Sequence, residues 1–303
     1  MRRLEQLIDI CRKETGNDRY TEGVFGSGVS QAVFTQHFRD AQDQLYMHIV
    51  STKNKFFKKT LEIPVVPMQA QYPWPDDIYV QALETLQWYD IRYKACPVTI
   101  LKGYTKEKLS GRVGFPFQYI PNNAGIELNP PVNYGTLAFS YERKLPALQK
   151  KSGLITVATM VGSDLTALDV ANTGIYDEAE INSDFFLCVV DKFGNIKARN
   201  IQYDSVSAGV FTLPTQGLAA GQSVGVGDFI LVGKNTCNIP DLPDICEGYL
   251  RKYVIYRVRY GDSLNWTKEA KEDLSTYVAL IDDTFARPSE DITEIPITNT
   301  DYL

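Results

Sequence analysis

The sequence has only two histidines, His37 and His48, and both fall in one helical pattern. Eleven residues apart at 1.5 Å per residue, they sit about 16 Å from each other, so one helix cannot bring them to a shared metal. No histidine follows His48. The string Gly261-Asp262-Ser263-Leu264 therefore lacks the downstream base that a serine hydrolase of that pattern needs, and a glycine break between helices with Asp and Ser as caps explains it. Cysteine is sparse: Cys11, Cys96, Cys188, Cys237 and Cys246, an odd number without a CxxC pair. That argues against a disulfide frame and fits free or buried thiols of a reducing compartment. Gly26-Ser27-Gly28 lacks the third glycine and the preceding strand of a dinucleotide fingerprint, and the glycines between Gly221 and Gly233 lack the Lys-Ser/Thr of a phosphate loop. Calcium-loop and zinc spacings are missing too. The acid pairs Asp76-Asp77, Asp282-Asp283 and Asp241/Asp244 lie beside prolines or on helix faces, where caps and solvation account for them. The sequence predicts no catalytic residue, no metal site, no cofactor and no enzyme.

Long hydrophobic runs are absent as well. No stretch approaches the ~20 apolar residues of a membrane span, and the opening MRRLEQLIDICRKE has no apolar run like that of a signal peptide. The expectation is a soluble protein made in a cytoplasm, with no membrane partner. The net charge of −6 argues against a general nucleic-acid binder. The one basic concentration is Lys53, Lys55, Lys58 and Lys59. A solvated loop with charges at a helix C-terminus explains it; the functional alternative is a sequence-blind phosphate contact. Eighteen Tyr and fourteen Phe suit a protein-binding surface and strands alike.

What is present centres on Asp241–Arg287. One helix is predicted from about Pro243, with Ile245, Tyr249, Leu250, Tyr253, Val254 and Val258 inward. Gly261-Asp262-Ser263 breaks it. A second runs from about Asn265 with Trp266, Ala270, Leu274, Tyr277, Ile281 and Phe285 on one stripe, until Pro288 stops it. Their faces need a third partner. The best candidate is the helix Gln31–Ser51, capped by Ser30, with Phe34, Phe38, Ala41, Leu45 and Ile49 in its stripe and Gln42 flanking. Residues 2–14 form a shorter amphipathic helix.

Between these helices the pattern turns to strands. FKKTLEIPVV, ALETLQWYDIRY, PFQYIP, AGIELNPPV and GTLAFSYERKL read as strands separated by Asn, Pro and Gly turns, and TKEKLSGR as one helical turn. From Leu145 to Asn238 the composition shifts to Gly, Val, Thr, Ser and Ala with closely spaced strands, and Asp191–Asn195 joins two of them as a hairpin. The fold class expected is α+β: an antiparallel helical bundle with inserted β-strand regions, including a small β-barrel or sandwich domain. The domains expected are a helical core (1–55 and 239–288), a β-rich region (56–145), an inserted β-domain (146–238) and an extended C-terminal tail (289–303).

The order of parts resembles the head-to-tail adaptor (connector, neck) proteins of tailed bacteriophages. The residues that carry this are GVSQAVFTQHFRDAQDQLYMHI, then a strand and the turn Tyr72-Pro73-Trp74-Pro75-Asp76-Asp77, with Trp74 where the family has leucine. Ile126-Glu127-Leu128-Asn129-Pro130-Pro131 and Thr136–Tyr141 resemble its strand, proline turn and strand ending in tyrosine. Pro240-Asp241-Leu242-Pro243-Asp244 and two helices resemble its C-terminal return. The likeness covers about 1–145 and 238–298, and the 146–237 stretch lies outside it. The resemblance implies a structural virion protein in the neck between capsid and tail. It would form a homo-oligomeric ring of about twelve copies around a channel through which double-stranded DNA passes without specific binding. The implied partners are the portal protein and a downstream tail or nozzle protein, with tail fibres as a further partner. A docking strand for the portal would comprise Ile292, Glu294, Ile295, Ile297 and Thr298. The alternative is another tail component, a nozzle or fibre-docking ring whose β-domain binds.

Overall fold

A computed structural model describes residues 1–16, 30–52, 55–80, 83–91, 93–100, 114, 116, 118–161, 164–172, 185–218 and 221–286. The expected TKEKLSGR turn and the C-terminal tail lie outside them. The chain divides into two compact units, 53–145 and 1–52 with 146–303.

The 53–145 unit has two four-stranded sheets around one core. Its strands are β1 (Lys58–Pro64), β2 (Gln71–Pro73), β3 (Thr85–Asp90), β4 (Tyr93–Pro97), β5 (Thr99–Ile100), β6 (Gln118–Asn122), β7 (Gly125–Asn129) and β8 (Thr136–Glu142). The sheet orders are β1-β8-β3-β4 and β2-β7-β6-β5. Alternation along β8 sends Leu137, Phe139 and Tyr141 inward, all fully buried. They meet Leu86 and Trp88 of β3 and Tyr72, Tyr119, Ile126 and Leu128 from the other sheet. At one side only the buried Val98 separates β4 from β5, so the chain passes directly from one sheet to the other.

The second unit combines helices with the larger sheet. It contains α1 (Leu4–Thr15), α2 (Gln31–Ser51), α3 (Glu247–Tyr260) and α4 (Lys268–Ala286). Gly16 ends α1 in the left-handed region at φ 74°, and its N–H returns to the carbonyl of Lys13. Ser30 Oγ accepts from Val33 N at 3.4 Å and caps α2. The α2 stripe Phe34, Phe38, Ala41, Leu45 and Ile49 is buried throughout. α3 packs against α1, α2 and α4; it buries Tyr249, Leu250, Tyr253, Val254 and Ile255, while Val258 stays partly exposed. Trp266 meets Tyr253 edge-on at 5.3 Å between ring centres, and its indole N–H reaches the Gly261 carbonyl at 3.1 Å.

A two-stranded parallel ladder, β9 (Ala147–Leu148) with β17 (Thr236–Cys237), brackets a seven-stranded sheet. That sheet comprises β10 (Gly153–Val161), β11 (Asp164–Asn172), β12 (Phe186–Val190), β13 (Ile196–Gln202), β14 (Ser205–Ser207), β15 (Val210–Gly217) and β16 (Phe229–Val232). Its order is β13-β12-β16-β10-β11-β15-β14. The outer strands β13 and β14 are consecutive in the chain, with only Tyr203 and Asp204 between them. That link spans about 10 Å at most, so the sheet curls until its two edges nearly meet. Tyr203 fills the interior and contacts Phe211 edge-to-face at 5.2 Å. The core adds Ile155, Leu165, Leu168, Leu187, Val189 and Ile230. β12 is also buried on its other face, through Cys188 and Val190 against Leu231.

The expected fold class needs correction. The fold is mostly β-sheet, with seventeen strands in four sheets and four α-helices among the described residues. It is not an antiparallel helical bundle carrying small inserted β regions. The helices were conspicuous because each stripe is long and periodic. The strands are two to nine residues long, and each offers only a few inward positions, yet together they build the two large apolar clusters. Arg39 and Gln42 of α2 also turn to β9 and its entry, not to another helix.

Candidate functional site

The most developed constellation is a polar seam between α1, α2 and the β9/β17 ladder. Gln42, 1% exposed, donates Nε2 to the Pro146 carbonyl at 2.9 Å. One turn earlier on α2, Arg39 donates Nε to the Leu148 carbonyl at 2.6 Å and its guanidinium also to Gln149 Oε1. Asn238, fully buried, donates Nδ2 to Glu5 Oε1 at 2.8 Å and to the Gln149 carbonyl at 3.1 Å. Its own carbonyl accepts from Leu4 N at 2.9 Å. Glu5 also accepts from Lys151 N at 3.0 Å. The segment that enters the seven-stranded sheet and the one that leaves it are thereby fastened to both N-terminal helices. Burial pushes the Arg39 pKa down, and the charge of Asp43 acts the other way.

The N-terminal helices are tied to α3, to α4 and to the segment that leads into α3 within the same unit. The N-terminal amine pairs with Asp244, Arg2 with Glu247 and Arg251 with Glu14. Gln44 Nε2 reaches Tyr253 Oη at 2.9 Å, and His48 Nε2 lies 2.8 Å from Asp282 Oδ1. The other histidine, His37, has its Nδ1 4.0 Å from Asp40 Oδ2. Burial lowers its pKa, the charge of Arg257 adds to that, and Asp40 opposes both. Asp262 pairs with Arg257, and Ser263 is exposed at the turn between α3 and α4.

In the 53–145 unit, Asp77 is the hub. Its Oδ1 accepts from Tyr141 Oη at 2.6 Å and its Oδ2 from Lys59 Nζ at 2.7 Å. The aspartate of the Tyr72–Asp77 turn thus meets the tyrosine that ends β8. Burial alone would raise the Asp77 carboxyl, but the hydrogen bonds from Lys59 and Tyr141 and the Lys59 charge outweigh it and hold the pKa below the ordinary value. A depressed carboxylate contributes stability above its unfolded pKa, about 3.9, and loses it as pH falls through the folded value. Asp77→Asn should destabilise the protein at pH 7, with the gap to the natural chain closing below about pH 4. Urea unfolding at both pH values measures this; an equal gap at both would contradict the role of the charge.

The lysine cluster is divided. Lys53 lies outside the described residues, and Lys55 opens the turn Lys55–Phe57. Lys58 pairs with Glu84 and Lys59 with Asp77. Ile292, Glu294, Ile295, Ile297 and Thr298 lie outside the described residues. Of the aromatics in the 146–238 stretch, Tyr203 and Phe211 are core, while Phe185 and Phe193 are exposed; Tyr176 lies outside the described residues.

Two open recesses of the 53–145 unit are lined by described residues. One of about 230 Å³ is lined by Gln71, Tyr72, Pro73, Asn122, Ala124 and Gly125. The other, about 250 Å³, is lined by Lys58, Val80, Leu83, Glu84 and Glu142. Among the described residues no three His, Cys, Asp or Glu side chains are grouped to hold a metal ion, and no helix is long and apolar enough to cross a membrane.

Sequence reading missed the seam. Glu5, Arg39, Gln149 and Asn238 look like solvated polar residues, because their partners lie about 90 to 240 positions away. The one available signal was Gln42, a polar residue at the margin of an apolar stripe. No protein-family model matches the chain, and a search of curated proteins finds no similar one.

Proposed function

We propose that this protein is a structural virion subunit. It forms a homo-oligomeric ring that joins the capsid portal of a tailed bacteriophage to the next tail or nozzle protein and surrounds the DNA channel. The observation that carries the reading is how the polar side chains are used. The seam and the Asp77 hub hold distant parts of the chain together. Such an investment in rigid joints suits a part that transmits position between neighbours. The order of helices and strands along the chain, which resembles adaptor proteins, gives the class of part. Lys58 and Lys59 are engaged by carboxylates, which suits DNA sliding past without being gripped.

A second reading, a nozzle or fibre-docking ring, draws on Phe193. It stands 61% exposed on the Asp191–Asn195 hairpin, and Asp191 Oδ1 accepts from Phe193 N at 2.8 Å and Asn195 N at 2.9 Å. A rigid exposed aromatic is a common anchor for a protein partner. Sedimentation of the purified chain, alone and with portal rings, separates the two. Co-sedimentation with portal is expected. A chain that ignores portal but binds purified tail fibres would replace the adaptor reading with the second.

A further inference from the structure

Among the described residues β1 is an edge strand. It pairs with β8 from Lys58↔Glu142 to Pro64↔Thr136, and among the described residues no strand lies along its other side. Open edges present free N–H and C=O groups and are commonly guarded by charged side chains. Here the charges of β1 are drawn inward across its own sheet and unit. Lys58 pairs with Glu84, Lys59 Nζ lies 2.7 Å from Asp77 Oδ2, and Glu62 hydrogen-bonds Tyr89 of β3. Among the described residues the core is also only partly covered along this edge. Leu61, Ile63 and Val65 pack on it while partly exposed, and Val66 and Met68 in the following turn are 51% and 64% exposed. A strand added here would extend the core face if its apolar residues came at alternate positions.

The chain itself carries such a segment. It continues from Ala286, where α4 ends, to Leu303. In extended form, Ile292–Thr298 lies about 20–40 Å of chain beyond that helix. Ile295 and Ile297 alternate with Glu294, Pro296 and Thr298. A proline without an N–H suits an outermost strand. We propose that Ile292–Thr298 of one copy adds to β1 of a second copy, with Ile295 and Ile297 continuing the row of Leu61 and Ile63. Glu294 and Thr298 then fall on the polar face beside Thr60 and Glu62. This rests on the ring reading and names a contact between neighbours in that ring. It places on a neighbouring subunit the segment that the family resemblance directs to the portal.

The test uses full-length chain carrying a photoreactive benzoylphenylalanine in place of Ile297, mixed with unmodified chain labelled with heavy nitrogen. Illumination is expected to join light to heavy copies, with attachment points within 58–68. Attachments confined to one copy, attachments elsewhere, or none at all would overturn the proposal. The ring reading is judged separately by portal co-sedimentation. Attachment to β1 without portal binding would sink that reading alone, and portal binding with attachments only to portal would sink this one alone.

Discussion

Arg39→Ala lowers the thermal midpoint of the helix-containing unit by roughly 6–12 °C. The guanidinium makes two partly buried contacts that α2 supplies to the entry of the seven-stranded sheet, one to a backbone carbonyl and one to Gln149. Hydrogen bonds from a charged donor are worth about 1.5–3 kcal/mol each, and their acceptors are left without partners when it is removed. A net loss of about 3 kcal/mol follows, and in a unit of this size each kcal/mol shifts the midpoint by about 2–4 °C. Arg39→Lys keeps the charge but not the planar fork, so it recovers only part of the loss. Calorimetry on the three proteins checks this. Equal midpoints for Arg39→Ala and the natural chain would show that the seam holds nothing.

Gly125→Ala has a comparable effect on the 53–145 unit, for a different reason. A Cβ at Gly125 would stand 1.9 Å from the Tyr72 carbonyl oxygen and 2.8 Å from Pro73 Cα. These are backbone atoms, so no side-chain rotation relieves the contact, and β2 must move away from β7. The pairing Tyr72↔Ile126 and Pro73↔Gly125 is then lost. With it goes the seating of Tyr72, 2% exposed in the shared core. Overpacking of this kind costs about 3 kcal/mol, about 12–24 °C for a unit of this length. Hydrogen exchange at residues 71–73 and 125–127 should accelerate before exchange elsewhere in the unit. Unchanged exchange there would contradict the close approach of the two strands.

The helices were legible from the sequence because their signal is local. The stripe from Phe34 to Ile49 repeats over about four turns, and Trp266, Ala270, Leu274 and Ile281 recur at helical spacing; these positions are buried. The alternation Leu137, Phe139, Tyr141 was legible for the same reason. The balance between helix and sheet was not, since short strands acquire weight only through pairing, and pairing is non-local. Nothing in residues 196–207 says that β13 and β14 form opposite edges of one sheet. The candidate site fared similarly. The turn at Asp77 stood out by its prolines, but its bonds to Tyr141 and Lys59 depend on the β1–β8 register. The hydroxyl, amide and guanidinium groups that fasten the fold carry no periodicity that a one-dimensional reading can detect.

The ring subunit is tested most directly by image averaging of the purified chain mixed with portal rings in the electron microscope. The expected result is a rotationally symmetric layer added to one face of the portal, absent from portal alone. Bare portal rings beside a chain that stays monomeric would contradict it.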